Sequence, residues 1–177
     1  MKLLEFEAKE ILKNAGIPIP KGILIRAGDD PVAAAAQIGE QVVVKAQVDV
    51  GGRGKAGGIL MADAATVQKT TDTLLESSIK GVPVHAVLIE ERITIEHEYY
   101  LSISIDRSSG SPLILFTASG GVDIEEVAKN NPDAIRRAII HPLLTDIPGY
   151  TIRYLLNGAP KEMGPIINRL YQVFRSR

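Results

Sequence analysis

The sequence predicts an α+β fold, and three observations support this prediction. The β-branched run Val42–Val44 precedes a glycine-rich stretch and a second apolar run, Ile59–Met61, a pattern typical of strand, loop and strand. Segments of helical periodicity alternate with such strands over residues 22–81. Hydrophobic residues make up 45% of the 177 positions, which suffices for a core and is not typical of a disordered chain.

The chain opens with an amphipathic helix that carries apolar residues at helical spacing from Leu4 to Ala15. Gly16 and Pro18 favour the end of this helix, and Ile17–Pro20 is an extended linker that we interpret as a hinge. The elements expected next are a strand at residues 22–25, a helix from Asp29 or Asp30 to Gly39, the strand–loop–strand of residues 42–61, a helix from Asp63 to about Lys80–Gly81, and strands at residues 86–90, 99–106 and 112–117.

Three further helices are expected in the last third of the chain, the first of them after the Gly120-Gly121 turn. Asn131-Pro132 and His141-Pro142 bracket a short helix whose inward residues would be Ile135, Ala138 and Ile139. A final helix is expected from Lys161 to Arg177, with an apolar stripe formed by Ile166, Ile167, Leu170, Val173 and Phe174.

Composition excludes several classes of function. The formal net charge is −1, so the chain lacks the basic excess expected for binding nucleic acid. It contains no cysteine, which excludes disulfides and thiolate metal sites. No apolar run approaches the ~20 residues of a membrane span, and Glu5, Glu7, Lys9 and Glu10 interrupt any signal-peptide core. We therefore expect a soluble, cytoplasmic protein with no nucleic-acid or membrane partner.

The glycine-rich stretch, residues 51–58, predicts a phosphate-binding loop. Glycines allow positive φ and close approach to a ligand, while Lys45, Arg53 and Lys55 supply positive charge. Residues 52–57 fit G-x-G-x-x-G, but that motif must open a helix, and here an apolar run follows. A P-loop would need glycine at Asp49 and serine or threonine at Ala56. A kinase-type glycine hairpin fits locally, yet its lysine follows the loop, whereas Lys45 precedes it.

Residues 44–58 have the sequence Val-Lys-Ala-Gln-Val-x-x-Gly-Gly-Arg-Gly-Lys-Ala-Gly-Gly. This segment resembles the signature of succinyl-CoA synthetase (succinate–CoA ligase) β subunits. The resemblance extends from Leu4-Glu5-Phe6-Glu7-Ala8-Lys9 through Gly120-Gly121-Val122-Asp123-Ile124-Glu125. It implies an ATP-grasp fold in which two α/β lobes hold a nucleotide in the cleft between them. Residues 1–20 plus 96–177 would form the core lobe, without the C-terminal part that the family has, and residues 21–95 the smaller lobe with the glycine loop.

The same resemblance implies a role for each candidate site residue. Lys45 would bind the phosphates and Gly52, Arg53 and Gly54 would form the loop over them. The adenine would lie against Glu90 and the backbone near Ile93, where relatives usually have threonine. Glu98 would accept hydrogen bonds from the ribose hydroxyls, since one carboxylate can bind two hydroxyls.

Other positions depart from the family pattern or stay open. The family usually has glutamate at Ser119 and aspartate at His141. The Gly120-Gly121 turn before a helix is compatible with a phosphoryl site or with an ordinary cap. His85, His97 and His141 lack metal-ligand spacing, and the phosphorylated histidine of the family belongs to the α subunit.

The resemblance implies the reaction of a carboxylic acid, CoA and ATP or GTP to give acyl-CoA, NDP and phosphate. The implied partners are the α subunit, CoA and a small carboxylic acid. In the family a Glu-x-Asn-Pro strand and a later aspartate hold Mg²⁺, and these ligands are expected beyond Arg177. We therefore expect this segment to bind nucleotide weakly and to have little activity alone, because phosphoryl transfer depends on metal-ion charge neutralisation.

Two alternatives share these features. The chain would equally suit another ATP-grasp ligase, such as an ATP citrate lyase or an ADP-forming acetate ligase. It would also suit a non-enzymatic, regulatory nucleotide-binding module. The module predicts tight ATP binding without Mg²⁺, whereas the ligase segment predicts weak binding.

Overall fold

The computed structural model describes residues 2–176, which form two compact units that are described separately. The first unit comprises residues 2–14 and 18–94, and the second comprises residues 15–17 and 95–176. The expected division assigned residues 1–20 to the C-terminal lobe. The structure instead groups the first helix, α1 (Glu5–Asn14), with the unit of the glycine loop, because charged residues of α1 form ion pairs there.

The first unit is built on a four-stranded antiparallel sheet with the strand order β1-β6-β2-β3. The strands are β1 (Gly22–Arg26), β2 (Gln41–Ala46), β3 (Ile59–Asp63) and β6 (Ala86–Glu91). Helices α2 (Pro31–Ile38) and α3 (Val67–Leu75) pack on one face of the sheet, and their core includes the fully buried Val42, Val44 and Val87. Asp30 caps α2 as expected, since its side chain accepts hydrogen bonds from the amides of Val32 and Ala33.

The third helix is shorter than predicted. The Asp63 carboxylate accepts hydrogen bonds from the Ala65 and Thr66 amides, which makes a turn, and the helix begins only at Val67. It ends at Leu75, and a small hairpin of β4 (Ser78–Ile79) and β5 (Val82–Pro83) follows. Lys80 and Gly81, expected at the end of the helix, instead form the two-residue turn of this hairpin, both with positive φ.

The second unit contains a three-stranded antiparallel sheet with the order β7-β8-β9. Its strands are β7 (Tyr100–Asp106), β8 (Ser111–Thr117) and β9 (Arg136–Ile139), and its helices are α4 (Ile124–Asn130), α5 (Gly149–Leu156) and α6 (Met163–Arg175). The core joins Ile114 and Phe116 of β8 to Leu155 of α5 and to Ile167 and Tyr171 of α6.

The helix predicted between Asn131 and His141 is wrong. A 3-10 helix, Pro132–Ala134, is followed by strand β9, whose residues pair with Leu113–Phe116 of β8. Ala138 is buried, but Ile139 is 59% exposed, so the inward residues alternate as in a strand. The spacing of Ile135, Ala138 and Ile139 was compatible with a helix, and pairing with β8 decided otherwise.

The C-terminal helices also differ from the prediction. Helix α5 was not predicted, and α6 begins at Met163 rather than at Lys161. On α6 the fully buried side chains are Ile167 and Tyr171, whereas the other residues of the predicted stripe are half-buried. Arg177, the predicted end of the final helix, lies outside the described residues.

Candidate functional site

The glycine loop connects β2 to β3, as the sequence predicted. Lys45 is the cross-strand partner of Ile59, and the Ala46 amide donates to the Gly58 carbonyl oxygen at 2.8 Å, which closes the base of the loop. Gly52 and Gly57 have φ values of 68° and 78°, in the region that favours glycine. The loop therefore begins and ends on rigid strands, and its turns require the glycines at these two positions.

Part of the loop backbone is already hydrogen-bonded within the loop. The Arg53 carbonyl oxygen accepts from the amides of Ala56 (3.1 Å) and Gly58 (2.8 Å). The Gly54 carbonyl oxygen accepts from the Gly57 amide at 3.2 Å. These three N–H groups are thus not free donors for a bound phosphate in this structure. The Lys80 ammonium, which the sequence did not place near the loop, donates to the Gly51 carbonyl oxygen at 2.7 Å.

Lys45 lies at the end of β2 beside a buried carboxylate on the neighbouring strand. Leu88 of β6 is the cross-strand partner of Lys45, and Glu90 is the partner of Val43, so Lys45 and Glu90 point to the same face of the sheet. The Lys45 Nζ lies 2.5 Å from the Glu90 Oε1, and Glu90 is 3% exposed. The Lys45 side chain keeps 19% of its surface exposed.

Helix α1 completes this arrangement with two charged residues, Glu5 and Lys9, that were not among the predicted site residues. Lys9 ion-pairs with the Glu90 Oε2, and the Glu5 Oε1 lies 2.8 Å from the Lys9 Nζ and 3.4 Å from the Lys45 Nζ. The Glu5 Oε2 ion-pairs with Arg53 of the glycine loop. We call Glu5, Lys9, Lys45, Arg53 and Glu90 the charge cluster. The sequence signals for Glu5 and Lys9 were their i, i+4 spacing and their place in the segment of residues 4–9 that resembles the family.

Burial and charge act together in the charge cluster. Burial lowers the pKa of Lys9, and the neighbouring Lys45 lowers it further, while the hydrogen bond to Glu90 acts in the opposite direction. Burial also lowers the pKa of Arg53, opposed by the charge of Glu90. Three cations face two carboxylates, so the cluster keeps one net positive charge, which suits binding of an anion.

Arg53 is anchored rather than free in the loop. Its Nη1 donates to the Ala46 carbonyl oxygen at 3.2 Å, and its side chain is only 18% exposed. Lys55, the other cation of the loop, is exposed. Of the two loop cations, Arg53 is therefore held next to Lys45, while Lys55 faces solvent.

A cleft of about 340 Å³ lies beside the charge cluster in the same unit. Its lining combines apolar side chains with the aliphatic and charged parts of lysines: Phe6, Lys9, Glu10, Lys13, Ile19, Pro20, Lys21, Gly22, Leu24, Leu88 and Glu90. Apolar walls with few polar groups are typical of sites for small ligands.

The structure places the two remaining predicted site residues after β6. Ile93 is 55% exposed in an irregular segment, and Glu98 is exposed and belongs to the second unit. The Gly120 amide donates to the Glu98 carbonyl oxygen at 2.9 Å. A Cβ on Gly120 would lie 2.5 Å from the Glu98 carbonyl carbon, and one on Gly121 would overlap the Glu98 carboxylate. The Gly120-Gly121 turn thus allows close approach to Glu98.

The three histidines were not predicted to be metal ligands. His97 makes an edge-on contact with Tyr99, and the His141 Nδ1 accepts a hydrogen bond from the Leu143 amide at 3.3 Å. Within residues 2–176, no group of three or more His, Cys, Asp or Glu side chains is arranged to hold a metal ion. Ser119, where the family has glutamate, donates its amide to the Thr117 hydroxyl.

Comparisons with known sequences identify the family of this chain. The family model of the ATP-grasp domain matches residues 2–177. The chain is 42% identical to the succinate–CoA ligase [ADP-forming] β subunit of Methanocaldococcus jannaschii, over 99% of this chain and 48% of that protein. It is also 42% identical to the β subunit of Aquifex aeolicus, over 98% and 48% of the two chains. The chain thus spans about half the length of these curated relatives.

Solved structures share the fold at lower sequence identity. A protein of Pyrococcus horikoshii superposes with a TM-score of 0.76 at 17% identity, covering 98% of this chain and 77% of that one. An acetyl-coenzyme A synthetase of Candidatus Korarchaeum cryptofilum gives a TM-score of 0.71 at 20% identity, with 89% and 66% covered. The glycine loop follows a lysine-bearing strand, the ATP-grasp model matches residues 2–177, and the fold is shared with these structures. The chain therefore belongs to the ATP-grasp family.

Proposed function

We propose that this chain is the nucleotide-binding part of an NDP-forming succinate–CoA ligase β subunit. The complete enzyme would convert a carboxylic acid, CoA and ATP or GTP into acyl-CoA, NDP and phosphate. The 42% identity over 99% of the chain to a protein of that name supports the assignment. The α subunit, CoA and a small carboxylic acid would be partners of the complete protein.

One observation carries the nucleotide-binding role: Lys45 and Arg53 are held together where β2 enters the glycine loop. An ammonium group and a guanidinium group at a glycine-rich turn match the charge and the donor geometry of a polyphosphate. The charge cluster supplies net positive charge there. Lys45 would bind the phosphates, with Gly52, Arg53 and Gly54 forming the loop around them.

The remaining assignments follow the family resemblance. The backbone near Ile93 would contact the base, and Glu98 the ribose. Glu90 was expected at the base, but its carboxylate binds Lys9 and Lys45 and is 3% exposed. In this arrangement we therefore assign to the Glu90 carboxylate the role of holding the Lys45 ammonium group. Among residues 2–176 no three or more His, Cys, Asp or Glu side chains are grouped so as to hold a metal ion, and the proposal assigns no metal ligand to them.

The test is an ATP titration of this chain followed by NMR chemical shifts, which measure weak binding. Lys45→Met should weaken ATP binding by about tenfold or more, because a hydrogen bond to a charged group contributes roughly 1.5–3 kcal/mol. Lys69→Met, on the exposed face of α3, is the matched control and should leave the Kd unchanged. Equal ATP binding by the parent chain and Lys45→Met would refute the role of Lys45.

In the complete enzyme with its α subunit, the same Lys45→Met change should raise the KM for nucleotide and lower kcat. Steady-state kinetics with succinate and CoA as co-substrates measure both constants. An active complex whose kinetic constants are unchanged by this substitution would contradict the proposal at the level of the reaction.

A further inference from the structure

In the charge cluster, the two carboxylate oxygens of Glu5 contact cations on different elements of the structure. Oε1 faces the ammonium groups of Lys9 and Lys45, at 2.8 and 3.4 Å, and Oε2 faces the guanidinium group of Arg53. Among the ion pairs of residues 2–176, Glu5 is the one carboxylate that contacts both the β2 lysine and the loop arginine. Glu90, by comparison, pairs with the two lysines.

Hydrogen bonding alone does not explain why a carboxylate is placed here. The Glu5 Oε2 is fully enclosed, and no donor in the described part of the chain makes a well-oriented hydrogen bond to it. An enclosed acceptor of this kind is unfavourable unless charge compensates it. Arg53 provides that charge, so the contact is an ion pair that fixes the position of the guanidinium group.

Helix α1 has no deeply buried residue in this unit. Every residue of α1 is at least partly exposed. The Phe6 amide donates a hydrogen bond to the side chain of Gln47, which lies shortly before the loop. The ion pairs of Glu5 and Lys9 are thus among the main contacts through which α1 reaches β2, β6 and the loop. This suggests that α1 contributes charge to the site in addition to packing.

We propose that Glu5 is a positioning residue: it holds Lys45 and Arg53 side by side as the pair of cations that receives the nucleotide polyphosphate. This inference rests on the proposed function. Lysine and arginine side chains lose much rotamer freedom when they bind an anion, and a fixed carboxylate reduces that loss in advance. With Glu5 in place the charge cluster still carries one net positive charge, which attracts the polyphosphate anion.

The test compares Glu5→Gln with the parent chain in NMR titrations with ATP and with adenosine. The glutamine keeps the size of the side chain and removes its charge. ATP binding should weaken by about fivefold to tenfold, as expected for the loss of a charge-assisted contact, while adenosine binding should not change. Glu40→Gln, an exposed carboxylate before β2, carries the same charge change and should affect neither ligand.

A second readout needs no ligand. Loss of the Arg53 anchor should speed hydrogen exchange at the Ala56 and Gly58 amides, which donate to the Arg53 carbonyl oxygen, by at least severalfold. Exchange at Val44 and Ile89, buried in the sheet, should stay unchanged and would show that the unit remains folded. Faster exchange at all four amides would mean a purely structural role and would overturn the inference.

The outcomes separate this inference from the proposed function. ATP binding that depends on Lys45 but is unchanged or stronger in Glu5→Gln overturns the positioning role alone. Absence of any Lys45-dependent ATP binding by the parent chain overturns both. Weaker ATP binding in Glu5→Gln, unchanged adenosine binding and faster exchange confined to the loop amides support the positioning role.

Discussion

Glu90 carries a charge yet is almost completely buried, and two lysines explain how this is possible. Its Oε1 faces Lys45 and its Oε2 faces Lys9, so both oxygens have a cationic partner. A buried carboxylate with this coordination is tolerated because its lost hydration is replaced by two charge-assisted contacts. Removing the carboxylate would leave both ammonium groups next to each other with only Glu5 as an anion.

We therefore predict that Glu90→Gln destabilises the protein by about 3 kcal/mol, as is typical when one member of a buried ion pair is removed. Urea unfolding followed by circular dichroism measures the loss. The matched control is Glu76→Gln, an exposed residue after α3, which should change the free energy of unfolding by less than about 0.5 kcal/mol. A similarly small loss for Glu90→Gln would show that solvent already screens its ion pairs.

The connection from β8 to α4 depends on two glycines. Gly120 and Gly121 lie against the backbone and the carboxylate of Glu98, respectively, and Asp123 caps α4 by accepting from the Glu125 amide. The sequence left open whether this turn faces a phosphoryl group or caps a helix. In the structure Asp123 supplies the cap and the turn lies close to Glu98, while a role of the turn toward a phosphoryl group stays a prediction.

Gly120→Ala should destabilise the protein by roughly 2 kcal/mol, because the new Cβ would force main-chain atoms of Glu98 and Tyr99 apart. Thermal or urea unfolding measures this loss. Gly51→Ala is the matched control: its Cβ would meet no atom within 4 Å, and its φ is not in the left-handed region. If both variants lose the same stability, general chain stiffness rather than the contact with Glu98 is responsible.

At the scale of the whole molecule, each of the two units has its own hydrophobic core, one centred on the β-branched strands of the first sheet and one on β8, α5 and α6. None of the helices in residues 2–176 combines the length and hydrophobicity needed to cross a bilayer. Carboxylates also tie segments of the surface together, and Asp146 is one example. It accepts hydrogen bonds from Asn168 (2.9 Å), Gln172 (2.7 Å) and Thr145 (3.1 Å).

These contacts predict how stability depends on pH. The hydrogen bond from Asn168, followed by those from Gln172 and Thr145, lowers the pKa of Asp146 below its ordinary value of 3.8. Hydrogen bonds from Thr66 and Ser108 likewise lower the pKa of Asp63 and Asp106. The stabilisation from these groups is complete above pH 3.8 and is lost as pH falls through the folded-state pKa.

We expect the stability difference between the parent chain and Asp146→Asn to shrink when pH is lowered from about 7 to about 3. Urea unfolding at both pH values measures this difference. Asn168→Ala removes the main donor to the same carboxylate and should reduce the pH dependence in the same direction. A difference that stays constant over this range would show that Asp146 contributes no charge-dependent stability.

Apart from the β4–β5 hairpin, the order of strands and helices in the first unit followed from local sequence. Side-chain branching favours the strand at residues 42–44, and the glycines, which lack a side chain, favour the loop at residues 51–58 before the strand at residues 59–61. Both are properties of single residues and their neighbours. The same sequence identified Lys45 and Arg53 as candidate phosphate ligands, whose nucleotide-binding role remains a prediction. Local chemistry also predicted the Asp30 cap and the end of α1 at Gly16, which has a φ of 72°.

The tertiary structure decided those features that depend on contacts between residues far apart in the sequence. Pairing with β8 made residues 136–139 a strand, although their apolar spacing also suited a helix. The charge cluster joins residues 5, 9, 45, 53 and 90, and no local pattern specifies which carboxylate meets which cation. A sequence determines backbone preference and side-chain chemistry over a few residues, whereas ion pairs across 40 or more positions depend on how the sheet and helix α1 pack.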